Sequence, residues 1–68
     1  MKIGDLLWDV VTKSLWVLTD MWYSKGIGEN QYSIQKVNSM NLTIIVNEKV
    51  ITYMRADFIK RSKNDLDL

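Results

Sequence analysis

The sequence predicts a small all-β domain, and three observations lead there. β-Branched and aromatic residues crowd the first third: Val10, Val11, Thr12, Trp16, Val17, Thr19, Trp22 and Tyr23. Strands favour that composition, whereas helices merely tolerate it. Residues 31–46 alternate between apolar and polar around a polar cluster, as a hairpin does. Residues 50–54 return to strand composition after a three-residue polar break, a connection that suits a tight antiparallel reversal.

In order, residues 1–8 read as a first strand entered through the polar turn Gly4-Asp5 and carrying Leu6, Leu7 and Trp8. Residues 9–14, with Thr12, Lys13 and Ser14, are a linker. Residues 15–23 then form a long second strand. They hold two of the three tryptophans and a single charge, so any core must be built against them.

A competing pattern runs through the same region. Ile3, Leu6, Leu7, Val10, Ser14, Leu15, Leu18, Met21 and Trp22 recur at helical spacing, and Gly26 suits a helix C-cap. On that reading residues 4–24 are one N-terminal amphipathic helix packed on an antiparallel hairpin, an α+β domain. Such a helix leaves Trp8 and Trp16 on its wrong or marginal face, and no capping box marks its start.

Residues 24–30, with Gly26 and Gly28 around Ile27, are a loop suited to positive φ. Tyr32 and Ile34 share one face of the next strand, and Val37 breaks the parity, which marks a bulge or the strand's end. Asn38-Ser39-Met40-Asn41 is a turn, and Leu42, Ile44 and Val46 alternate in its partner strand. After residues 50–54, Arg55-Ala56-Asp57-Phe58 reads as a 3₁₀ turn and residues 59–61 as a short closing strand. The alternative there is a helix over residues 49–60 with Val50, Met54 and Phe58 on one face. Residues 1–61 make one domain, and residues 62–68 are expected to be a disordered tail.

Taken as strands, this order resembles the Src-homology-three-like small β-barrels. The likeness rests on Gly4-Asp5, on residues 16–23 as the long bent second strand, and on residues 53–61 as the strand, 3₁₀ turn and strand of the closure. It is also similar to uncharacterised small barrel proteins encoded by bacteriophages, many of which begin with a Gly-Asp-hydrophobic motif. The resemblance covers residues 2–61. It implies a five-stranded, strongly bent antiparallel barrel with one 3₁₀ turn before the last strand and ligand-facing loops. The chain lacks the paired acidic loop and the 3₁₀ proline of the peptide-binding members, so polyproline recognition is not carried over.

Composition narrows the chemistry. A chain of 68 residues has room for one core only. There is no Cys and no His, which removes disulfides, thiolate metal sites and the usual general base near neutral pH. Asp5, Asp9, Asp20, Glu29, Glu48 and Asp57 are the remaining acids, and so short a chain scarcely encloses a cleft for them. No enzyme activity, cofactor or metal is expected. Nine Lys/Arg stand against eight Asp/Glu, a balance unlike the basic footprint of a dedicated nucleic-acid binder. No apolar run is long enough to span a bilayer, and Asp5 and Asp9 interrupt any signal-like start. The expectation is a protein of the cytoplasm, that of a bacterial host if phage-encoded, with no membrane contact.

The functional expectation is a protein-binding module, an accessory protein of phage type acting on a host or viral protein. Its candidate contacts are Trp22, Tyr23, Ile27, Trp8 and Trp16 with the loop of residues 24–30. Adjacent strand residues face opposite ways, so Trp22 and Tyr23 cannot both turn inward, and Trp and Tyr dominate binding surfaces. Against this, the rings can simply lie over the edges of a small core. A second expectation is single-stranded nucleic-acid binding through Arg55, Lys60, Arg61 and Lys63 with stacked aromatics, although Asp57, Asp65 and Asp67 interleave with those cations. The Gly26-Ile27-Gly28 pair lacks the third glycine and Lys-Ser/Thr of a phosphate loop. A third expectation is self-association through open strand edges.

Overall fold

The computed structural model of the chain describes residues 1–39 and 41–66. Met40 of the expected turn and residues 67 and 68 of the expected tail lie outside them. Four strands and one helix follow in order: β1 (Leu6–Asp9), β2 (Ser14–Ser24), β3 (Glu29–Lys36), β4 (Thr43–Asn47) and α1 (Glu48–Leu66). The strands make one antiparallel sheet in the order β1-β2-β3-β4. Its edges are β1 and β4, so the sheet is open. The expected five-stranded all-β barrel is therefore corrected to an α+β fold. The expected N-terminal helix is corrected too, since residues 4–24 carry β1 and β2 and the helix lies at the other end of the chain.

Short-range chemistry explains the strand boundaries. Asp5 closes the entry turn by accepting the Lys2 N–H at 2.9 Å, and Gly4 sits at φ +95 with its N–H on the Leu18 carbonyl at 2.8 Å. That φ is open to glycine and strained for other residues. Between β1 and β2, the Asp9 carboxylate accepts the Val11 N–H at 3.0 Å and the Thr12 hydroxyl at 2.9 Å. These bonds hold a turn that carries Lys13 at φ 54. β3 ends at Lys36, where the parity broke in the sequence, and the Val37 N–H still reaches the Leu15 carbonyl at 2.9 Å.

β2 contains one bulge. Leu18 faces Ile34 and Asp20 faces Ser33, which leaves Thr19 without a cross-strand partner. Its hydroxyl donates instead to the Ser33 carbonyl at 3.1 Å. The extra residue shifts the alternation by one, so Met21 stands beside Tyr32 on the core side and Asp20 does not.

The correction in the last third has a clear cause. The polar break Asn47-Glu48-Lys49 is an N-cap and a first helical turn. Asn47 accepts the Val50 N–H through Oδ1 at 2.9 Å, which satisfies one of the helix's orphan donors. Glu48 lies in the first turn and Lys63 in the last, each matching the helix dipole. Thr52 is accommodated by donating its hydroxyl to the Glu48 carbonyl at 2.7 Å. The residues read as strand, 3₁₀ turn and strand, 50–61, are one continuous helix. It runs on to Leu66, through most of the segment assigned to a tail.

α1 lies on one face of the sheet and closes the core: Leu7, Trp16, Leu18, Tyr32, Ile34, Ile51 and Met54, with Val46 packed against them. Leu7, Leu18, Ile34 and Ile51 are the largest fully buried side chains, each stabilising the fold by about 1.5–3 kcal/mol. On the other face, Leu6 pairs with Val17 and Trp8 with Leu15, all half-buried. Among the described residues no helix is long and apolar enough to cross a membrane.

Candidate functional site

Past the Asn47–Gln31 pair, where β4 ends, β2 and β3 run on as a two-stranded arm rooted at Met21 and Trp22. Ser24 pairs with Glu29 at its end, and the turn is closed by the Gly28 N–H on the Ser24 carbonyl at 2.7 Å, with Gly28 at φ +77. β2 alone has 11 residues, about 36 Å of extended chain, and the molecule measures 45 × 23 × 21 Å. Its radius of gyration is 12.5 Å, against about 11 Å for a globular chain of this length.

The arm is apolar where it leaves the core. Met21 is 42%, Trp22 38%, Tyr23 60% and Ile27 63% exposed. Trp22 pairs with Gln31 and Tyr23 with Asn30, so the two rings occupy opposite faces. On the helix side a groove of about 690 Å³ separates the arm from the start of α1, with Tyr23 and Asn30 on one wall and Lys49, Thr52 and Tyr53 on the other. Glu48 also lines this groove and is bonded to Tyr32. Tyr32 is buried and its hydroxyl donates to Glu48 Oε1 at 3.2 Å. Burial pushes the Tyr32 phenol above its ordinary value, and the Glu48 charge and the hydrogen bond to it add to the rise.

The other expected contacts fall elsewhere. Trp16 is 6% exposed and belongs to the core, and its Nε1 has no hydrogen-bond partner among the described residues. Trp8 is half-buried, with the Arg61 guanidinium stacked 4.0 Å from its ring centre. Of the expected surface, Trp22, Tyr23 and Ile27 are brought together on the arm, while Trp8 and Trp16 are not.

The cations are also divided. Arg55 donates to the Leu6 carbonyl at 3.0 Å, stands 3.9 Å from the Asp5 carboxylate and lies over Phe58. The Lys2 N–H bond, together with Arg55 and the charged N-terminus, holds the Asp5 carboxyl below its ordinary value. Lys60, Arg61 and Lys63 are exposed along the later turns of α1.

Sequence reasoning missed Met21, Lys49 and Tyr53 as parts of this surface. The signal for the last two was present in Asn47-Glu48 as a cap followed by Ile51, Met54, Arg55 and Phe58 at helical spacing. In comparisons with known proteins, no family model, no curated protein and no solved structure matches this chain.

Proposed function

We propose that this chain is a non-enzymatic binding module that docks on another protein through the β2–β3 arm. One observation carries the reading: Met21, Trp22, Tyr23 and Ile27 stand exposed together on a segment that the core does not use. The part of a large apolar side chain left in water adds nothing to folding, and aromatic anchors of this kind dominate the energetics of protein interfaces. The arm offers Trp22 on one face and Tyr23 above a groove on the other, which suits insertion between two walls of a partner.

The nucleic-acid alternative draws less support from the same geometry. The Arg55 guanidinium is engaged by Leu6 and Asp5, and Arg61 covers the Trp8 face on which a base would stack. The experiment compares capture of proteins from a bacterial lysate by the wild type with capture by Trp22→Ala and Ile27→Asp, alongside a salt titration with single-stranded DNA. Loss of a captured protein in both variants, with circular dichroism unchanged, supports arm docking. Undiminished capture, or DNA binding that falls steeply with salt and survives both substitutions, sinks it.

A further inference from the structure

The two edges of the sheet are treated differently. On β1, Arg55 occupies the Leu6 carbonyl and Arg61 covers Trp8. On β4, the Lys36 N–H bonds the Leu42 carbonyl, so by antiparallel alternation Leu42, Ile44 and Val46 turn their main-chain groups toward β3. Thr43, Ile45 and Asn47 turn theirs outward. Among the described residues nothing covers that edge, and Thr43-Ile44-Ile45-Val46-Asn47 carries no charge, proline or bulge of the kind that keeps edges apart.

We propose that β4 pairs antiparallel with β4 of a second copy, about a two-fold axis at Ile45, to give a dimer with one continuous eight-stranded sheet. The register is self-complementary. Ile45 meets the partner's Ile45, Thr43 meets the partner's Asn47, and about four main-chain hydrogen bonds form, because the Asn47 carbonyl already serves the start of α1. Ile44 comes beside the partner's Val46 on the helix side, and no like charges face each other across the seam. The residues that pairing would cover are now bare: Leu42 41%, Ile44 41%, Ile45 59% and Val50 40% exposed. Val50 stands on the flank of α1 away from Thr52, and Thr52 faces the arm groove. In this dimer both helices lie on one face and the two arms point in opposite directions, so the pairing neither uses nor blocks the arm.

Sedimentation equilibrium of the full chain tests the pairing. The wild type is expected at about 16 kDa, twice the 8.0 kDa of one chain. Ile45→Lys is expected at half the wild-type mass with an unchanged circular dichroism spectrum, because Ile45 is exposed in the single chain, while Ile27→Lys on the arm keeps the dimer. The chain has no cysteine of its own, so Ile45→Cys gives a disulfide-linked dimer on mild oxidation and Ile27→Cys does not. A wild type that sediments as one chain at the highest concentration that stays in solution overturns the proposal. So does a dimer that survives Ile45→Lys or is lost in Ile27→Lys.

Discussion

Arg55 donates from Nη1 to the main-chain carbonyl of Leu6 at 3.0 Å, across 49 residues of sequence. That bond ties the middle of α1 to the edge of β1 and supplies the carbonyl with the partner that a fifth strand would have given. Arg55→Ala is expected to lower stability by about 1–2 kcal/mol, the worth of a charge-assisted bond discounted for the partial exposure of the side chain. Urea denaturation followed by circular dichroism measures it. No change in midpoint would mean that the edge carbonyl is satisfied by water.

Asn47 is expected to matter as a helix cap more than as a strand residue. Asn47→Ala removes the acceptor of the Val50 N–H and should cost about 1 kcal/mol, with part of the 222 nm helical signal lost at the first turn. Asn47→Asp keeps the acceptor and should keep the midpoint.

These two residues show what was legible in the sequence and what was not. The hairpin of β3 and β4 and the strand nature of residues 15–23 were readable, because alternation and β-branched content there agree with the tertiary structure. In the last third the helix was legible only as the alternative over residues 49–60, behind the preferred strand, 3₁₀ turn and strand. Val50, Ile51 and Thr52 carry strand propensity, and the exposed Val50, Tyr53 and Ile59 blur the stripe of Ile51 and Met54 that packs in the core. Burial of Ile51 and Met54 in the core, with the Asn47 cap and the long-range bond from Arg55, outweighs that propensity, and neither the cap nor that bond has a periodic signature. The bulge at Thr19 was equally hidden, since its partner carbonyl on Ser33 is distant in sequence. On the arm, opposite faces for Trp22 and Tyr23 followed from strand alternation alone. The burial of Trp16 did not, because it depends on which face α1 covers.

Asp5 sets an acid limit on stability. Its carboxyl is depressed in the fold, first by the Lys2 N–H and then by Arg55 and the other nearby positive charges. A depressed carboxyl contributes stability that is present above its unfolded value of about 3.9 and is lost as pH falls through the lower folded value. The wild-type urea midpoint should therefore fall more steeply below about pH 4 than that of Asp5→Asn. Parallel curves for the two would contradict the assignment.

Tyr32 sets the alkaline limit by the opposite sign. Its phenol is raised in the fold, so its contribution is complete below the unfolded value of about 10 and is lost as pH rises through the folded one. Tyr32→Phe should give up about 1 kcal/mol at neutral pH with the Glu48 bond, and should lose less than the wild type above about pH 10.

The central claim is that the arm's apolar side chains serve contact with a partner and not the fold. Urea denaturation of Trp22→Thr/Tyr23→Thr/Ile27→Ser beside Leu18→Ala tests it most directly, since threonine keeps strand propensity. The arm variant is expected within about 0.5 kcal/mol per substitution of the wild type, while Leu18→Ala loses about 3 kcal/mol from a fully buried site. An arm variant that unfolds as readily as Leu18→Ala would show that these side chains hold the chain together, and the docking reading would fail.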